Sequence, residues 1–171
     1  MENKQDASVE EFQMIIHDIL KNMAFQEIKK CKHHGNSRYD HCMEVAFTSY
    51  LVSKKLGWNY PMITRAALLH DFFVDDWAEY TKEKRLKNLP AFNHNLKAVA
   101  NASKYFHASS EELEIIRSHM FPLVLRPIPR TKGAWLVSTI DKWEASKDWL
   151  RIFSFKFEMV ASSFLYFYTG L

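Results

Sequence analysis

The chain has 171 residues, of which 47 % are apolar, so it is long enough for one domain with a single core. Its four Gly and five Pro provide few strand-turn signals, which favours helices over sheets. The net charge of +3 comes from scattered residues, and this excludes the basic stripe that is typical of a nucleic-acid-binding surface.

The cysteines and the two ends of the chain predict a cytoplasmic location without a membrane partner. Cys31 and Cys42 are too few for a disulfide framework, and the charged start of the chain has no apolar leader. The C-terminal apolar run that begins at Met159 is shorter than the roughly 20 residues that are needed to cross a bilayer. A helix packed on the core, or on a second subunit, is the simpler interpretation of that run.

Apolar residues at helical spacing predict a single all-α domain over residues 1–171. The predicted helices cover about 9–30, 37–56, 61–71, 93–106, 109–120, 132–148 and 152–169, with a short charged helix near 81–87. Gly35 is expected to end the first helix, Ser37 to cap the second and Gly57 to end it. Ser109 with Glu112 forms the capping-box pattern before another helix.

His70 and Asp71 end the apolar run of the third predicted helix, and together they can offer a nitrogen and an oxygen to one metal ion. Four further residues of these types continue the apolar faces of other predicted helices, namely His41, His94, His119 and Asp141. A lone inward His is more often a core residue than a ligand. An inward Asp is rarely buried without a partner, and a shared cation would serve the whole set.

The same ordered residues resemble the signature of the HD-domain metal-dependent phosphohydrolase superfamily, in particular its small bacterial hydrolases. The matching local sequences are Tyr39-Asp-His-Cys, Ala67-Leu-Leu-His-Asp-Phe-Phe, Phe92-Asn-His, Arg117-Ser-His-Met-Phe-Pro-Leu and Ile140-Asp-Lys. The resemblance spans about residues 35–146, the motif-bearing core, and it implies an HD-domain helical bundle.

The resemblance also implies a dinuclear metal centre. His41, His70, Asp71 and Asp141 would hold the first metal ion. Asp71 would bridge to a second ion, which the two intervening residues His94 and His119 would hold. Such mixed ligands suit Fe, Mn, Zn, Co or Ni, and the sequence does not choose among these metals.

The activity implied by the resemblance is hydrolysis of a small phosphoester or phosphoanhydride, such as a nucleotide, by a metal-activated hydroxide. Asp71, Lys142 and His34 are the predicted catalytic residues, with His34 as a proton donor to the leaving group. Arg38, Lys142 and Arg126 are the predicted substrate-binding residues. The alternatives are a surface ion pair for Lys142, a helix-capping or surface role for His34 and a solvated loop charge for Arg126.

Two other functions stay open at this point. The same ligands around two irons support oxygenase chemistry in some relatives, and a module could bind metal and nucleotide without turnover. The predicted partner is a small phosphorylated substrate, with no nucleic acid and no membrane. The Phe residues that cluster after Ile152 are compatible with a homodimer interface as well as with core packing.

Overall fold

The computed structural model describes residues 2–33, 36–74 and 90–147. The predicted helices at 81–87 and 152–169 therefore lie outside the described residues, as do His34 and Gly35. The described elements are α1 (Glu2–Lys21), α2 (Met23–Gln26), a 3-10 turn (Glu27–Lys30), β1 (Lys32–His33), β2 (Asn36–Ser37), α3 (Arg38–Lys55), α4 (Tyr60–Leu69), α5 (Pro90–Phe106), α6 (Ser110–Ser118) and α7 (132–147). The strands pair as one short antiparallel hairpin, and the fold is all-α as predicted.

The prediction of one helix over residues 9–30 was wrong, because Asn22 interrupts it. The backbone of Asn22 is extended, and its Oδ1 accepts hydrogen bonds from the amides of Ala24 at 2.9 Å and Phe25 at 3.4 Å. An Asn side chain that caps a new helix in this way competes with continuation of the old one. The first helix therefore ends at Lys21, and α2 and the 3-10 turn follow it.

The capping predictions for Ser37, Gly57 and Ser109 are confirmed, whereas the one for Gly35 lies outside the described residues. Ser37 Oγ accepts a hydrogen bond from the Asp40 amide at 3.1 Å, and Asp40 Oδ2 accepts in return from Ser37. Ser109 and Glu112 form the same reciprocal arrangement before α6. Gly57 follows α3 with φ +65°, a left-handed conformation that glycine adopts without steric cost. These caps fix where α3 and α6 begin and where α3 ends.

The core is built mainly between α3, α4 and α6, with α1 and α5 packed beside them. Fully buried side chains from these elements and their connections include Ile16, Ile19, Phe25, Tyr50, Leu68, Leu69, Phe72, Ile115 and Ile116. Near the start of α7, Gly133 allows a close approach, because a Cβ there would lie 2.9 Å from Ile63 Cγ1. Among the described helices, none combines the length and the apolar character that a bilayer span requires.

Candidate metal centre

The helices bring all six predicted ligands to one place. His41 lies in the first turn of α3, and His94 lies near the start of α5. His70 and His119 are the C-cap residues of α4 and α6, so each ring sits where a helix ends. Three overlapping groups of three residues each have candidate ligand atoms within 4.8 Å of one another. The groups are His41, His70 and Asp71; His70, His119 and Asp141; and Asp71, His94 and His119.

One half of the cluster is centred on Asp141 of α7. Its Oδ1 lies 3.0 Å from His41 Nε2 and 3.6 Å from His70 Nε2. Both histidine side chains are completely buried, and the Asp141 side chain is largely buried. A carboxylate oxygen of Asp71 also lies within 4.8 Å of the candidate ligand atoms of these two histidines, so Asp71 connects this half of the cluster to the other half.

The other half is centred on Asp71, directly after α4. Its Oδ1 lies 3.3 Å from His94 Nε2 and 3.5 Å from His119 Nε2. The two Nε2 atoms are themselves 3.1 Å apart. Asp71 therefore has two histidines of its own and lies beside the His41 and His70 pair, which is the position that a bridging carboxylate needs.

The helix ends orient two of the histidine rings. His70 Nδ1 donates a hydrogen bond to the carbonyl oxygen of Ala67 at 2.7 Å, and His119 Nδ1 donates to that of Ile116 at 2.7 Å. A carbonyl oxygen can only accept, so Nδ1 carries the hydrogen in each ring. In the neutral ring the lone pair is then on Nε2, which faces the cluster. Ligating histidines in metalloproteins are held by the same kind of bond.

The cluster fits a metal ion on two structural grounds. His70 Nε2 and Asp71 Oδ1 are buried and make no hydrogen bond, which costs about 1–3 kcal/mol for each such group unless another partner is present. In addition, two donor atoms that each lie about 2.1 Å from one ion are roughly 3.0–3.4 Å apart at octahedral or tetrahedral angles. The observed donor separations of 3.0, 3.3, 3.5 and 3.6 Å lie within this range or slightly above it.

The electrostatics keep both carboxylates ionised. Burial raises the pKa of Asp71, but the charge of His70 and the close approach of His119 outweigh it and hold that pKa well below its usual value. Burial also raises the pKa of Asp141, but a hydrogen bond from His41 and the close approach of His70 outweigh it, so that pKa too lies well below its usual value. Two anionic carboxylates among histidines form a site that attracts cations.

Lys142 connects the two halves. Its Nζ donates a hydrogen bond to Asp141 Oδ2 at 2.9 Å and another to the carbonyl oxygen of His119. The side chain is 25 % exposed, so the ammonium group is partly open to solvent beside the ligands. Its predicted catalytic and substrate-binding roles stay predictions. The contact with Asp141 makes it more than an ordinary surface residue.

Arg38 and Arg126 lie in different surroundings from Lys142. Arg38 is buried, and its Nη1 donates a hydrogen bond to the carbonyl oxygen of Phe73 at 2.7 Å. Arg126 is exposed on the connection after α6. Substrate binding by these two residues stays a prediction, and His34 lies outside the described residues.

The sequence did not predict one aromatic contact beside the site. The ring of Phe73 stacks on the ring of His94, with centroids 5.2 Å apart and an angle of 19° between the planes. The available signal was its place two residues after Asp71. An aromatic residue there is equally typical of core packing, and its neighbour Phe72 is indeed fully in the core against Phe25.

Comparison with known proteins agrees with this geometry. The family model described as HD domain matches residues 38–146, a range that contains all six candidate ligands. The chain belongs to the HD-domain family. Its membership confirms the resemblance drawn from the sequence and associates the chain with metal-dependent hydrolases. No curated protein matches this HD-domain chain in the comparison, and no solved structure matches it either.

Proposed function

We propose that this HD-domain protein is a phosphohydrolase that uses two divalent transition-metal ions to hydrolyse a small phosphoester or phosphoanhydride, such as a nucleotide. The observation that carries the proposal is the pair of connected half-sites. One half joins Asp141 to His41 and His70, and the other joins Asp71 to two further histidines. Each half offers nitrogen and oxygen ligands at separations that suit one ion.

The chemistry of the ligands supports this class of metal and substrate. Four imidazoles with two carboxylates suit Fe, Mn, Zn, Co or Ni better than Ca, which prefers oxygen ligands alone. The two carboxylates would cancel only half of the charge on two divalent cations. The surplus positive charge favours an anionic phosphate. When bound, such ions lower the pKa of a water molecule and stabilise charge on the phosphoryl group.

The residues of the chain have distinct tasks in this proposal. Asp71 stays ionised and lies between the two half-sites, so it is the proposed bridging ligand. Lys142 holds Asp141 in place and presents a partly exposed ammonium group to a phosphate oxygen. The helix-end carbonyls hold His70 and His119 with Nε2 facing inward. A cytoplasmic location and a homodimer through the C-terminal aromatic residues are further proposals.

A panel of nucleotides and simple phosphoesters, assayed for phosphate release with each of the five metals, tests the proposal. The wild-type protein should release phosphate from at least one compound. Asp71→Ala should lose at least about 100-fold, because even partners behind the ligands contribute about 10–100-fold. Asp18→Ala is the matched control, since Asp18 pairs with Arg65 on the surface. Full activity in Asp71→Ala would contradict the proposal.

The same assay separates the two other functions. Oxygen consumption by the iron-loaded protein without phosphate release would favour the oxygenase. Thermal stabilisation by a nucleotide without any product would favour a binding module. Phosphate release with redox-inert Zn would exclude the oxygenase as the explanation of activity, because that chemistry needs electron transfer at the metal.

A further inference from the structure

Hydrogen bonds fix the backbone of the two residues that follow Asp71. The amide of Phe73 donates a hydrogen bond to the carbonyl oxygen of Asp71 at 2.8 Å, which makes a tight turn. The carbonyl oxygen of Phe72 accepts from Asn101 Nδ2 at 2.9 Å, and that of Phe73 accepts from Arg38 Nη1 at 2.7 Å. Side chains from α5 and α3 thereby fix the segment that carries the proposed bridging ligand.

The ring of Phe73 extends this arrangement to His94. It is almost completely buried, and the guanidinium carbon of Arg38 lies 3.7 Å from its centroid. It also stacks on the His94 ring at 5.2 Å and 19°, an offset parallel geometry that aromatic rings favour. Arg38, Phe73 and His94 thus form a continuous series of contacts from α3 to the start of α5.

The histidines of the site are oriented in different ways. His70 and His119 each donate from Nδ1 to a carbonyl oxygen of their own helix, which fixes the plane of the ring. For His94 the flat ring of Phe73 restrains that plane, since a stacked ring cannot turn about its Cβ–Cγ bond without breaking the stack. The Nε2 of His94 is thereby directed to Asp71 Oδ1, 3.3 Å away.

We propose that Phe73 is a positioning residue that fixes the His94 ring for the second metal ion, and that Arg38 holds Phe73 in place. The proposal rests on the dinuclear centre of the proposed function and deepens it. It gives Arg38 a role that differs from the substrate binding predicted from the sequence. It also makes the second metal position dependent on a residue that can bind no metal itself.

Metal titration by calorimetry, with metal content by mass spectrometry, tests the proposal on the full chain. Wild type should bind two ions. Phe73→Leu, which removes the flat ring but keeps an apolar side chain, should bind the first ion normally and the second about tenfold or more weakly. Phe73→Tyr keeps the ring and should restore the second ion. Phe72→Leu is the matched control, because it makes the same substitution at the adjacent residue, whose ring packs in the core against Phe25 and Phe106.

The control separates positioning from general destabilisation. Phe72→Leu should lower the Tm of the metal-free protein at least as much as Phe73→Leu, yet bind two ions as wild type does. Equal weakening of the second ion in both variants would overturn the positioning role, and so would a Phe73→Leu variant that binds both ions normally. In either case phosphate release by wild type would leave the proposed function intact. A wild type that binds a single ion would overturn the dinuclear centre and this proposal together.

Discussion

Lys142→Met should destabilise the metal-free protein, because Lys142 holds two parts of the site together. Its Nζ bonds to Asp141 Oδ2 at 2.9 Å and to the carbonyl oxygen of His119, and three quarters of the side chain is buried. A hydrogen bond with a charged group contributes about 1.5–3 kcal/mol, and partial exposure reduces the ion-pair part. We expect the free energy of unfolding to fall by about 2 kcal/mol, which is roughly 4–8 °C in Tm for a domain of this size.

Calorimetric unfolding in the presence of a chelator measures this effect without any contribution from bound metal. Lys132→Met is the matched control, since it makes the same substitution on the same helix at an exposed position. Lys132 contacts the ring of Trp58 at 5.7 Å, and such an exposed contact contributes at most about 1 kcal/mol. A Tm loss in Lys142→Met no larger than in the control would refute the idea that Lys142 joins the half-sites.

Two further predictions concern the body of the fold. The pKa of Glu11 is lowered from 4.5 to about 2 by hydrogen bonds from Lys54 and two tyrosines, so its stabilising effect is complete above pH 4.5 and is lost as pH falls toward 2. The Tm difference between wild type and Glu11→Gln should therefore shrink over that pH window, and a constant difference would contradict this. Gly133→Ala should lower the Tm, because the added Cβ would lie 2.9 Å from Ile63 Cγ1 and 3.0 Å from Ile115 Cδ1; the overpacking cost of about 1–3 kcal/mol should exceed the helix gain of about 1 kcal/mol. An unchanged or higher Tm would contradict this prediction and would mean that the side chains of Ile63 and Ile115 shift to make room for the added methyl group.

The sequence predicted the features of this fold that depend on local chemistry. Ser37 and Ser109 cap helices because a hydroxyl and a carboxylate three residues later satisfy the free amides of the first turn. The six candidate ligands were singled out because residues three, four and seven apart share one helix face, and because a buried Asp needs a partner. Helix periodicity thus gave the inward direction of each ligand.

Other features depend on competition or on contacts between distant segments. The break at Asn22 arises because its side chain caps α2, and the apolar spacing around it continues as if the helix were unbroken. The contact of Lys142 with the His119 carbonyl and the stack of Phe73 on His94 join residues 21 or more positions apart. Spacing along one helix carries no information about such contacts, so they became visible only in the structure.

A crystal structure of the metal-loaded protein, with an anomalous difference map recorded at the absorption edge of the metal, tests the central claim most directly. Two peaks are expected. One should lie about 2.0–2.3 Å from His41 Nε2 and an Asp141 oxygen, and the other at the same distance from the Nε2 atoms of His94 and His119. A map without a peak among these side chains, or with metal bound only elsewhere on the chain, would contradict the account.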